Sequence, residues 1–206
     1  MARNNLIQDC AGASLLEFTL VFPIVMMMTF GIVDVMYMLH EWNLANKATY
    51  RGARVAIVSI PVAPSVTNLT YNAGDVGLET CYDIDTGASL DVCPWVDVTC
   101  SSSVDATCSD GDAFTDIVSA MQTVFPRITA ANVQVRYQST GLGFPGRPGG
   151  LPMNVTVSIQ CMSHQMFFLG AWAGWFFPPA EACQPARSMR MPTFASTLPS
   201  EDMDTN

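Results

Sequence analysis

Apolar and polar positions divide the chain into stretches of different period. From Ala13 to Leu39 the residues are apolar almost without interruption, over 27 positions. As a helix this run would be about 40 Å long, and a bilayer core needs only about 30 Å. One membrane-crossing helix is therefore predicted. Pro23 lies inside it and predicts a mild kink, which membrane helices tolerate better than soluble ones. Gly31 offers a place for close packing. Helical periodicity continues from His40 to about Ser59. Ala45, Ala48, Gly52 and Ala56 share one face there, and Lys47, Arg51 and Arg54 lie on the other flank. Small residues on one face allow close backbone approach, either to the chain's own domain or to neighbouring copies. Ile60-Pro61 and Pro64 end the helix, because a residue before proline disfavours helical geometry.

Beyond this helix, residues 65 to 112 are rich in Asn, Gly, Asp, Ser and Thr and predict loops. Residues 113 to 125 predict a short helix with Phe114, Ile117, Val118, Met121 and Phe125 on its apolar face. Asp110 or Asp112 stands where it can cap the start, and Pro126 follows. The period then changes to two. Val133, Val135 and Tyr137 alternate with polar residues, as do Val155, Val157 and Ile159. Two half-buried antiparallel strands are predicted, joined by a Gly/Pro-rich loop from Gly141 to Pro152. Residues 166 to 177 are intensely apolar but too few to span a bilayer. They predict either a core segment tied down by Cys183 or a segment at a membrane surface or subunit contact. The tail from Met189 adds one edge strand and frays after Ser200. The resulting fold class is α+β. A long N-terminal transmembrane helix continues into a small disulfide-stapled ectodomain with a short antiparallel sheet. The expected division is 1–12, 13–60 and 61–206.

Composition narrows the chemistry. Charged residues make up 13% of 206 and the net charge is −9. The acids cluster between Asp75 and Asp116, and the few basic residues form no stripe. Nucleic acid is therefore not an expected partner, since phosphate binding needs clustered Lys and Arg. Of seven cysteines, Cys10 precedes the apolar run. Cys81, Cys93, Cys100, Cys108, Cys161 and Cys183 all follow it. An even set on one side of a membrane segment suggests disulfides in an oxidising compartment. A zinc site is the alternative, but the short C-x2-C spacing it prefers is missing from the sequence. The expected pairing is local closure among the first four and a Cys161–Cys183 bridge. Asp83, Asp85, Asp91 and Ser109-Asp110-Gly111-Asp112 do not follow the calcium-loop spacing and are read as a solvated acidic surface. No metal and no cofactor is expected.

Two acids interrupt the apolar run. Ionisable groups inside such segments are rare and by default functional. Glu17 lies in the first turns. Asp34 stands near the far interface, where it is expected to reach water. Only two histidines exist, His40 and His164. His164 near Cys161 and Ser163 raises the idea of a nucleophile site. Paired cysteines are inert, however, and no orienting acid or Ser-centred elbow stands nearby in sequence. Gly141-Leu142-Gly143 and Gly146 lack the strand-to-helix frame of a phosphate loop. A surface or packed histidine and a non-enzyme are expected.

Gly12-Ala13-Ser14-Leu15-Leu16-Glu17-Phe18 resembles the type IV prepilin cleavage signal, in which a prepilin peptidase cuts after the glycine and a glutamate stands fifth in the mature chain. The wider stretch from Gly12 to Ala56, ending in Arg51-Gly52-Ala53-Arg54-Val55-Ala56, resembles TadE-like minor pilins, or pseudopilins, of tight-adherence systems. The resemblance implies a cytoplasmic leader removed between Gly12 and Ala13. It also implies a registry role for Glu17, paired with the new N-terminus of a neighbouring subunit. Prepilin peptidase, other pilin or pseudopilin subunits and membrane lipid are the implied partners. The implied location is the inner membrane with a periplasmic ectodomain, with incorporation into a surface pilus as the further option. Charge counting points the other way, with Arg3 before the span and Lys47, Arg51 and Arg54 after it. The six cysteines and the cleavage pattern outweigh that bias. The alternative function is an unprocessed single-pass adhesin or receptor, for which Gly12 would be dispensable.

Overall fold

The structure is a computed structural model that describes residues 10–67, 86, 95–101, 108, 111–142, 152–170 and 188–200, with the backbone alone at 10–14 and 188–190. Its elements are helix α1 (Cys10–Ala56), the single turn α2 (Pro64–Thr67), strand β1 (Asp97–Ser101), helix α3 (Gly111–Gln122), and strands β2 (Val133–Ser139), β3 (Met153–Ile159), β4 (Ser163–Gln165), β5 (Ser188–Arg190) and β6 (Phe194–Pro199). The chain divides into two compact units. One comprises Met1–Glu41 with Ser163–Arg190, and the other Trp42–Met162 with Met191–Asn206.

Helix α1 contains 47 residues and carries Pro23 inside it. It is long and apolar enough to cross a membrane. Its backbone begins before Ala13, at Cys10, and its end falls short of Ser59. The N–H of Val58 bonds to Val55 O at 3.2 Å, an i to i−3 contact that tightens the last turn. Pro61 then disfavours helical backbone at Ile60.

In the unit beginning at Trp42, strands β1, β2, β3 and β6 form one antiparallel sheet in that order. Val135 pairs with Val157, and Tyr137 with Val155. Period-two alternation sends Val133, Val135, Tyr137, Val155, Val157 and Ile159 to the buried face, and all are at most 1% exposed. Helix α3 contributes buried Ile117 and Met121. The small face of α1 supplies Ala45, Ala48, Gly52 and Ala56, all buried. A Cβ placed on Gly52 would lie 2.7 Å from Met121 Cγ and 3.3 Å from Val157 Cγ1. The small-residue face of α1 thus meets its own α3 and β3. Trp42, one turn before that face begins, sets its ring edge-on against Phe194 of β6 at 5.1 Å.

Strand β1 corrects the reading of residues 65 to 112 as loops. Its burial is irregular, with only Cys100 fully buried, so it shows no alternation to recognise. Its pairing with β2 supplies the order instead. Cys100 is bonded to Cys108. Cys161 is also disulfide-bonded and takes a left-handed φ of 56° where the chain leaves β3. Cys81, Cys93, Cys183, the side chain of Cys10, Asp110 and residues 171–177 lie outside the described residues, and with them the Cys161–Cys183 pairing. The expected edge strand in the tail is β6.

Candidate functional site

The membrane-length part of α1 has an exposed surface of apolar side chains. Leu15, Phe18, Leu20, Ile24, Met28 and Ile32 are each more than half exposed. Two hydroxyls within it are returned to the helix. Thr19 Oγ1 donates to Leu16 O and Thr29 Oγ1 to Met26 O, each at 2.9 Å. Such internal bonds suit a helix in lipid, where no water satisfies a hydroxyl. Gly12 and Ala13 lie on the helical backbone and Glu17 is exposed one turn later. Glu17 and Asp34 are 17 residues apart, which is about 26 Å along a helix and close to the hydrocarbon thickness.

Asp34 does not reach water. It is 2% exposed, and its carboxylate accepts three backbone N–H groups: Phe167 at 3.3 Å, Phe168 at 2.9 Å and Leu169 at 2.8 Å. The expectation of a solvated helix-end acid is corrected by these contacts. Gly31, one turn earlier, is covered by the Leu169 side chain. Phe168 stacks on Phe30 at 4.4 Å between centroids, and Phe167 meets Tyr37 edge-on at 6.2 Å.

The same helix face carries Glu41, whose Oε2 lies 2.6 Å from His164 Nδ1. His164 is 1% exposed, and its Nε2 is buried without a hydrogen-bond partner among the described residues. His164 therefore has an orienting acid that the local sequence does not reveal, brought from 123 residues away. The pair still offers no open face for chemistry. The ring is enclosed, and Cys161, three residues before it, holds no free thiol. Strand β4, which carries His164, pairs antiparallel with β5, aligning His164 with Met189. Among the described residues no three His, Cys, Asp or Glu side chains stand together as a metal site.

Sequence reasoning singled out Glu17 and Asp34 by their acidity in an apolar run. It did not find the Glu41–His164 contact or the three N–H donors, because neither leaves a local signal. Among known proteins, residues 12–54 match the family model described as TadE-like protein. No curated protein and no solved structure matches the chain.

Proposed function

We propose, from the premise that residues 12–54 of this chain are TadE-like, that it is a minor pilin or pseudopilin that acts in assembly or priming of a tight-adherence pilus. The family implies a pilus-associated protein with a membrane-crossing N-terminal helix. The observation that carries the reading is the exposed apolar surface of α1 from Leu15 to Leu39 with one acid, Glu17, near its start. A helix with such a surface needs lipid or other helices around it. An acid in that setting needs a hydrogen-bonding or cationic partner, and Glu17 has none of the backbone donors that meet Asp34.

In this reading residues 1–12 are a cytoplasmic leader, 13–60 the anchor and extended helix, and 61–206 a periplasmic ectodomain. A prepilin peptidase cuts between Gly12 and Ala13, and the freed amino group is a cation. Glu17 of one subunit pairs with that cation on the next and fixes register. Low dielectric strengthens this pair and makes an unmatched glutamate costly. Glu17 acts in registry and not in catalysis. Assembly then requires neighbouring pilin or pseudopilin subunits.

The mature N-terminus tests the reading, measured in cells with and without the prepilin peptidase and in Gly12→Ala. The expected result is an N-terminus at Ala13 that disappears in both controls. An intact Met1 in every sample would leave the alternative, an unprocessed anchored adhesin or receptor.

A further inference from the structure

The geometry points to a second membrane contact in this protein: residues Met166–Leu169 return along α1 and seat Phe167 and Phe168 in lipid at the ectodomain-side edge of the bilayer. The inference rests on α1 crossing a membrane, the premise of the proposed function.

Three contacts trace the path. His164 meets Glu41, Phe167 and Phe168 meet Asp34, and Leu169 covers Gly31. From Glu41 back to Gly31 the helix covers about 15 Å. From His164 to Leu169 an extended chain covers about 17 Å. The segment therefore runs alongside the helix towards its N-terminus, that is, towards the apolar span. It enters at the depth of Asp34, about 29 Å along the helix from Leu15 and so at the far edge of a hydrocarbon core.

At that depth the backbone has a problem. Non-helical N–H groups facing lipid are costly, and so is a carboxylate. Asp34 and the N–H groups of residues 167–169 meet each other's needs. The carboxylate accepts three hydrogen bonds while the segment shields it to 2% exposure. With the polar groups joined, the two phenylalanine rings remain exposed while Leu169 packs on Gly31. Phe167 is 71% and Phe168 47% exposed. Their rings continue the apolar surface of Phe30 and Tyr37, which is also exposed. A surface continuous with a lipid-facing helix has lipid as its occupant. Aromatic residues at the ends of a span suit the interfacial region.

Photocrosslinking tests this directly. The full chain is reconstituted in phosphatidylethanolamine/phosphatidylglycerol vesicles with p-benzoylphenylalanine in place of Phe167, Phe168, Ile24 or Tyr50, one at a time. Ile24 reports the span. Tyr50 is exposed and stands outside the apolar run from Ala13 to Leu39. After irradiation, mass spectrometry is expected to find phospholipid adducts at 167, 168 and 24, with 50 at background. Two aromatic positions keep the test open if one substitution fails to fold. Adducts at Ile24 with none at 167 or 168 would overturn the second contact alone. Crosslinks from 167 and 168 to a second copy of the chain instead of lipid would also overturn it. No adduct at Ile24 would remove the membrane crossing itself.

Discussion

The hydroxyl of Tyr137 accepts the backbone N–H of Val62 at 3.1 Å, joining positions 75 residues apart. Tyr137 belongs to the buried face of β2 and is 0% exposed, while Val62 follows the end of α1. Removing this oxygen in Tyr137→Phe leaves a buried N–H without its acceptor, which costs about 1–3 kcal/mol. Urea unfolding of the detergent-solubilised full chain measures the loss.

The same contact has a pH signature. Burial raises the Tyr137 phenol from 10.0 to about 12, and the Val62 N–H offsets only part of that. Between those values the unfolded chain has released a proton that the native chain keeps. This contribution is full below pH 10 and is lost as pH rises towards 12. It amounts to about 2–3 kcal/mol. Unfolding curves across that window are expected to fall more steeply for the wild type than for Tyr137→Phe.

Gly52 sits where α1, α3 and β3 meet, with Met121 and Val157 occupying the space a side chain would need. Gly52→Val forces Met121 to move and is expected to destabilise by about 1–3 kcal/mol. Gly52→Ala has an opposing gain of about 1 kcal/mol from helix propensity, so its loss is smaller. Thermal melts of the two variants give that order if the packing governs the site.

The Cys100–Cys108 bond closes a short loop beside β1. Replacing both cysteines by serine is expected to cost about 2–3 kcal/mol, from the loop entropy restored to the unfolded chain. Comparing melts of this variant and the wild type, each without reductant, isolates this bridge from the one at Cys161.

Arg136 holds Asp97 through two hydrogen bonds, at 2.7 and 2.6 Å, across the β1–β2 pair. Its guanidinium keeps the Asp97 carboxyl below the usual range of 3.8. Any stabilisation is present above that range and fades as pH falls through the lowered value. The pair is solvent-exposed and screened, so Asp97→Asn is expected to leave the melting temperature nearly unchanged at physiological salt. A large shift there would mean that the pair also sets β1 in place.

The sequence by itself determined the elements whose stabilising surface repeats along the chain. Helix α1 is visible in its unbroken apolar run, α3 in its period of 3.6, and β2 and β3 in their period of two. Each pattern arises because neighbouring residues face a common environment. The tertiary structure alone decided what has no such repeat. Strand β1 is ordered by its partner and by a disulfide more than by its own alternation. The fate of Asp34 depends on N–H donors more than 130 residues away. His164 and Glu41 meet only because the chain returns to the helix after β3. A lone polar side chain carries no periodic mark of its partner. Whether it ends in water or in a buried contact depends on which distant backbone or side-chain group the fold brings to it.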